Sequence, residues 1–506
     1  MRRPSHHLFA AACLLAVTVA VAPAVRAQPG PLAGFDAAVE KAVRDWETPG
    51  LAVAVVKDGQ VVFSKGYGVK ALGAAGPVGT GTLFAIGSTT KAMTAALVGM
   101  LVDEKKLAWD DPVSKHLPWF QLGDPYLTRE ITVRDLLTHR AGLGNADYLW
   151  YGQPTEPREI LRRVRLLPAA YSLRSSFIYQ NVMYAAAGAI VEAVSGQPWE
   201  RMLRSRIFEP LGMSGAIPTA ATLARQPDVA KPHAKLDGKV REIENASTDT
   251  VAPAGSVWAG VEDMARWSAM LLARGRTPSG RALLAPETVD ELFRPQTMVT
   301  REAFYPTARL TKPKWTTYGL GWFQQDYRGR AVDYHTGSID GMVAIHGLLR
   351  DLGVGVVVLA NRDHAELRHA IMFDVFDRFI GGAGRDWSGE LKAFYDVLER
   401  EAEAAQQKAD ARRVPGTAPS LPLERYTGTY EDPLRGEVVV TLDGGRLRAR
   451  YGSAFVGALE HWHYDTFRAS WDAAWRGTAL ATFVLDASGQ PSRIEAMGGR
   501  FTKREP

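Results

Sequence analysis

The run LAVAVVKDGQVVFSKGYG (51–68) and the pair MVAIHGLLR (342–350) and GVGVVVLAN (353–361) are rich in β-branched residues, and a long, mostly helical pattern separates them. Asp58-Gly59 joins the halves of the first run and Asp351-Leu352-Gly353 joins the last two, which are hairpin signals. Short β blocks at both ends of a helical insert bury their apolar faces by pairing with each other. The pattern therefore predicts one antiparallel sheet, closed by its N- and C-terminal parts, with helices packed on it. Residues 35–46 read as an amphipathic helix on that sheet, and YGLGWFQQD (318–326) reads as a further strand.

Near residue 385 the pattern changes. WSGELKAFYDVLEREAEAAQQKADARR (387–413) reads as a charged, solvated helix, and VPGTAPSLPL (414–423) as a linker. YTGTY, GEVVVTL, RLRARY, FVGALEHW, TFRASW, TALATFVL and SRIEAM then follow as short strands at nearly even spacing, the signature of a small all-β barrel or sandwich. The fold class expected is thus α+β, an antiparallel sheet with a helical insert plus a small C-terminal barrel. The divisions expected are 1–27, 28–385, 386–423 and 424–506. His461 and His463 alternate along one barrel strand and share a face; a metal needs more ligands than two, and no metal or organic cofactor is implied.

Residues 1–27 read as a secretory signal: Arg2 and Arg3, an apolar run from Leu8 to Ala22, and small residues in Ala24-Val25-Arg26-Ala27. The run is shorter than a membrane span needs. Its removal takes three arginines and no acid, so the formal charge falls from +5 to +2, which leaves no electrostatic footprint for nucleic acid. Cys13, the single cysteine, lies inside this segment, so the processed chain has no thiol or disulfide. Export from a bacterial cytoplasm, to the periplasm or beyond, is expected.

FAIGSTTKAMTAAL (84–97) holds a lysine in a segment otherwise apolar or small. A helix apolar all round is buried, and burying an ammonium without a partner is expensive. Ser88 and Lys91 are three residues apart and so share a helix face. Desolvation lowers the proton affinity of a buried amine, which suits it to deprotonate a serine hydroxyl. FIYQNVMY (177–184) adds Tyr179 and Asn181 just before a helix, and DYHTGSIDG (333–341) adds His335-Thr336-Gly337 opening onto a strand. A phenol near two cations would have its pKa pulled down, making Tyr179 a general base for Ser88 or a proton donor to the leaving group. Asn181 offers an amide to a substrate carbonyl, and the N–H groups of Ser88 and Ser338 could form an oxyanion hole. His335 would serve as a cation for a substrate carboxylate, as a neutral partner of Tyr179 or Ser88, or merely as filler at the strand edge.

Ser-x-x-Lys, Tyr-x-Asn and His-Thr-Gly in that order resemble the penicillin-recognising serine hydrolases: class C β-lactamases, D-Ala-D-Ala carboxypeptidases, D-aminopeptidases and related esterases. DLLTHRAGL (135–143), PAGSVWAGVEDMARW (253–267) and VVVLANRD (356–363) resemble the same group. The resemblance implies that Ser88 is the acylated nucleophile, Lys91 and Tyr179 its proton-transfer partners, and Asn181, His335, Thr336 and Gly337 substrate ligands. It also implies a lipocalin-like C-terminal module. Substrates expected are small peptides, esters or β-lactams. Lysine is usual at the third motif of β-lactamases; the histidine form is similar to D-specific peptidases and esterases. A secreted hydrolase of D-residue peptides or small esters is the favoured expectation, with a true β-lactamase or a non-catalytic peptidoglycan-fragment sensor as alternatives. Gly-x-Ser-x-Gly and His-Glu-x-x-His are both missing from the chain.

Overall fold

The computed structural model describes residues 30–505 apart from Ala75 and Ala383; the expected leader, 1–27, lies outside them. Eight antiparallel strands form the main sheet: β1 (Gly50–Lys57), β2 (Gln60–Gly68), β3 (Thr297–Met298), β4 (Thr316–Tyr318), β5 (Phe323–Tyr327), β6 (Arg330–Ile339), β7 (Met342–Leu349) and β8 (Val354–Ala360). Their order is β2-β1-β8-β7-β6-β5-β4-β3. β1 pairs with β8 from Leu51 opposite Ala360 to Lys57 opposite Val354, so the two ends of the chain segment close one sheet. Asp58 and Gly59 have φ of 49° and 78°, the left-handed values that a tight two-residue hairpin requires.

β1 is buried on both faces, which is why its sequence is an unbroken apolar run. Ala52, Ala54 and Val56 join the core under α2 (Thr90–Asp103), α3 (Asn181–Ser195) and α4 (Val261–Leu272). Leu51, Val53 and Val55 join the opposite core, under α1 (Phe35–Asp45) and α5 (Leu367–Ile380). α2 has no polar face, and every residue from 90 to 101 is buried.

α6 (Trp387–Asp410) is the charged helix; only Trp387 and Leu391 of it are buried. Beyond it, β9 (Gly428–Asp432), β10 (Gly436–Asp443), β11 (Arg446–Tyr451), β12 (Phe455–His463), β13 (Thr466–Trp471), β14 (Thr478–Leu485), β15 (Pro491–Ala496) and β16 (Gly499–Lys503) form a closed barrel in chain order. β16 is a strand the seven-segment pattern leaves out. It turns only Gly499 and Phe501 fully inward, so its alternation carries little apolar signal, yet it closes the barrel by pairing with β9. His461 and His463 straddle a bulge that breaks their shared alternation. His461 Nε2 lies 2.9 Å from the Tyr464 carbonyl, and His463 Nδ1 accepts from the Val414 N–H at 3.2 Å. Among the described residues no helix is long and apolar enough to cross a membrane.

The barrel docks beside the mouth of the helical layer. Ser453 N–H donates to the Gly152 carbonyl at 2.9 Å, and the Arg435 guanidinium sits 3.6 Å over the Tyr148 ring. Asp340, in the β6–β7 turn, accepts from the Tyr151 hydroxyl (2.7 Å) and Trp475 Nε1 (3.1 Å) and pairs with Arg476 (3.3 Å).

Candidate active site

Ser88 occupies a single 3₁₀ turn, Gly87–Thr89, that feeds α2. Its hydroxyl is half-buried, whereas Lys91, in the first turn of α2, is 0 % exposed. Gly87 has φ of +51°, and a Cβ there would stand 2.7 Å from the Ser338 nitrogen; glycine lets the Ser88 turn lie directly against the edge of β6. Gly337 is tighter still, since its Cβ would meet the Ile86 carbonyl oxygen at 1.9 Å.

Lys91 Nζ contacts Asn181 Oδ1 at 2.7 Å, the Ala254 carbonyl at 2.8 Å and Ser88 Oγ at 3.0 Å. Burial lowers its pKa well below the usual lysine value; the Asp147 carboxylate acts weakly the other way. A neutral amine has two hydrogens and one lone pair. An amide oxygen and a backbone carbonyl can only accept, so once Lys91 has lost a proton they take its two hydrogens and the lone pair is left facing the serine hydroxyl. Asn181 is oriented in turn: its Nδ2 donates to Asp147 Oδ1 at 2.9 Å, which obliges its oxygen to face Lys91.

Tyr179 lies over the same amine, with Lys91 Nζ 4.7 Å from its ring centroid. The ring packs on His139 (4.3 Å between centroids) and Phe323 (6.3 Å). The expected downward pKa shift does not occur. Desolvation pushes the phenol well above its ordinary value, against a smaller opposite effect from a hydrogen bond with Ser88. Tyr179 therefore stands as an uncharged phenol.

His335 also departs from expectation. It lies within β6 and is 1 % exposed. Its Nδ1 is 2.6 Å from the Thr336 carbonyl, so Nδ1 carries the hydrogen, and Nε2 then accepts from the Tyr318 hydroxyl at 3.0 Å. Burial is the main cause that pushes its pKa down to about 3. His335 is therefore neither a cation for a carboxylate nor a partner of Tyr179 or Ser88, because both ring nitrogens are engaged elsewhere. Thr336 donates its hydroxyl to Tyr305 at 2.9 Å. Behind Gly337 and Ser338, the buried Arg368 donates to the Gly337 carbonyl (2.6 Å) and Ser338 Oγ (3.0 Å), and Glu366 holds it in place at 3.0 Å.

A titration follows from these burials. His335 and His346 are both pushed down to about 3, so the unfolded chain binds protons near pH 6.5 that the folded chain refuses. Stability is full above pH 6.5 and falls as pH drops from there towards 3, by about 1.4 kcal/mol per pH unit for each imidazole. Urea midpoints should fall between pH 7.5 and 5.5, and His346→Leu should lessen the fall. An unchanged midpoint in the parent protein would contradict neutral burial.

Ser88, Tyr179, Asn181, His335, Thr336 and Ser338 line one cleft of about 600 Å³. Sequence reasoning missed the rest of its wall. Asp147, Tyr148, Trp150 and Tyr151 come from the loop after GLGNA, and Tyr451, Phe455 and Met497 come from the barrel. Such loop and interdomain contacts have no periodicity to betray them. His139 was present only within the flanking DLLTHRAGL; it accepts the Gln180 N–H at 3.1 Å and so holds the turn carrying Tyr179 and Asn181.

The Beta-lactamase family model matches residues 35–375, and a domain of unknown function, DUF3471, matches 412–502. The chain is 29% identical over 503 residues to "Unguisins hydrolase ungD" of Aspergillus violaceofuscus, covering 92% of this chain and 88% of that protein. It is 28% identical over 344 residues to "Penicillin-binding protein 4" of Amycolatopsis lactamdurans, covering 66% and 85%. In fold it is similar to an octameric penicillin-binding protein homologue from Pyrococcus abyssi, with a TM-score of 0.62, 22% identity, and 93% and 99% of the two chains covered. A family match across most of the chain, on the segment that brings Ser88 to Lys91, shows that this protein belongs to the Beta-lactamase family of penicillin-recognising serine hydrolases.

Proposed function

We propose that the protein hydrolyses amide or ester bonds through an acyl-enzyme on Ser88, acting on D-residue peptides or small esters rather than chiefly on β-lactams. The observation that carries this reading is the fully buried Lys91 amine, 3.0 Å from Ser88 Oγ and held on its other sides by Asn181 and Ala254. Lys91 takes the Ser88 proton as Oγ attacks the carbonyl, and the N–H groups of Ser88 and Ser338 receive the oxyanion. Tyr179, uncharged and beside Ser88, passes a proton to the leaving group, and water reverses the sequence to release the acid. The barrel modulates access, since Tyr451, Phe455 and Met497 line the cleft. Two further observations support the choice of substrate. The third motif carries histidine, and that histidine is uncharged, so the cleft offers no cation there for the carboxylate that β-lactams and D-Ala-D-Ala peptides bear.

A panel of a chromogenic cephalosporin, a D-alanyl p-nitroanilide, a D-Ala-D-Ala peptide and a short p-nitrophenyl ester tests it. The ester and the anilide should show the higher kcat/KM. Cephalosporin turnover above the others would instead establish a β-lactamase, and a stoichiometric adduct without turnover would establish a sensor.

A further inference from the structure

Asp147 is the one acidic side chain on the cleft wall, and no lysine or arginine side chain lines that wall among the described residues. It sits in a short turn, Asp147–Leu149, after GLGNA. Oδ1 accepts from Trp150 Nε1 at 2.8 Å and from Asn181 Nδ2 at 2.9 Å; Oδ2 accepts only from Asn145 Nδ2, at 3.2 Å. Among the described residues no lysine, arginine or histidine makes an ion pair with it. The carboxylate is thus held in place by neutral N–H donors, with one oxygen lightly used and its charge unmatched. It stands one amide away from the catalytic amine, because Asn181 bridges Asp147 and Lys91. The surrounding wall is aromatic: Tyr148, Trp150, Tyr151, Tyr305, Tyr451 and Phe455. Ring faces attract cations and offer nothing to a carboxylate. Two arginines beside the wall are already engaged, Arg435 over Tyr148 and Arg476 with Asp340.

We propose that Asp147 is the anchor for an ammonium group carried by the acyl donor close to its scissile carbonyl. Preferred substrates then present a free amine, either the α-amino group of an amino-terminal residue or a basic side chain. Free carboxylates are disfavoured at the same place. This rests on the Ser88 acyl-enzyme reading and narrows its substrate class.

The test compares D-alanyl p-nitroanilide, its N-acetyl form, N-acetyl-D-lysyl p-nitroanilide and p-nitrophenyl acetate, with the parent protein and Asp147→Asn. Asparagine keeps an oxygen for Trp150 and Asn181 while removing the charge. In the parent, kcat/KM for an amine-bearing anilide should exceed that of N-acetyl-D-alanyl anilide by about ten- to a hundredfold, the scale of one hydrogen bond to a charged group. Asp147→Asn should bring that ratio to about one. A preference confined to the D-alanyl anilide identifies the α-amine, and one confined to the lysyl anilide identifies the side chain. Should Asp147→Asn be too weak to measure, inhibition of ester hydrolysis in the parent decides. D-alaninamide should bind more tightly than N-acetyl-D-alaninamide, and added salt should erode only the former. No amine preference in the parent, or an equal loss on all four substrates in the variant, overturns the proposal; the latter would leave Asp147 as a positioning residue for Asn181 and Lys91. A parent protein that neither hydrolyses p-nitrophenyl acetate nor takes a label on Ser88 instead marks failure of the acyl-enzyme reading.

Discussion

Ser88→Ala is expected to fold as the parent does and to take no covalent label from a fluorophosphonate or a slowly released β-lactam, while the parent gains one adduct on the peptide carrying residue 88. The half-buried Ser88 lines the cleft with its hydroxyl 3.0 Å from Lys91 Nζ, a contact that no other serine makes among the described residues. Lys91→Met keeps a side chain of similar length in the same buried slot but has no nitrogen to take the proton. Members of a catalytic unit act together, so kcat should fall by about 10⁴- to 10⁶-fold in either variant. Mass spectrometry of the labelled peptide and steady-state rates on a p-nitrophenyl ester read both effects. A label that persists in Ser88→Ala removes the nucleophile assignment. A Lys91→Met enzyme with a tenth of the parent rate removes lysine as the base.

The second large effect is expected from one methyl group. Gly337→Ala would put a Cβ 1.9 Å from the Ile86 carbonyl oxygen, well inside any tolerated contact, and the group it meets is backbone that cannot swing aside. β6 must then move off the turn that carries Ser88, which takes the Ser338 N–H away from the oxyanion position. A displacement of about 1 Å in such a constellation lowers the rate by about 10²-fold. The loss should appear in kcat more than in KM, because the oxyanion forms only in the transition state. Gly341→Ala makes a useful comparison, since its Cβ would also clash with backbone, at Pro232 and His233, but in the turn beyond β6. If Gly337→Ala keeps the parent kcat, the close approach of β6 to Ser88 has no part in catalysis.

How much of this was legible in the chain differs from residue to residue. Ser88 and Lys91 are neighbours by helix geometry alone, and the two-ended β pattern already placed both ends in one sheet, which the pairing of β1 with β8 closes. Asn181 meets Lys91 across the helical layer, a contact that the ordered motifs suggested but spacing could not measure. The charge states went the other way. Reading Tyr179 as a phenol lowered by two cations left out burial, which raises the phenol and pushes His335 down to about 3. Whether a side chain is deep enough to lose its proton depends on every element packed over it, which no local window contains. Asp147 illustrates the same limit: an aspartate in a Gly-Asn loop looks like turn chemistry until Asn181 and Trp150 are seen to point at it.

The pairing of β1 with β8 also sets a timetable for a chain made from its amino terminus. The β1–β2 hairpin emerges early, with β1 offering an open edge that only β8 can fill, and β8 is not synthesised until the whole helical layer has preceded it. Contacts of such long sequence separation form late and slowly, and an unpaired apolar edge is what drives strands of different chains together. The barrel repeats the problem on a smaller scale, since β9 closes only against β16, the last strand made. The nascent chain therefore leaves these edges open until synthesis is complete. Chains cut short before residue 354 should aggregate rather than accumulate as a folded fragment.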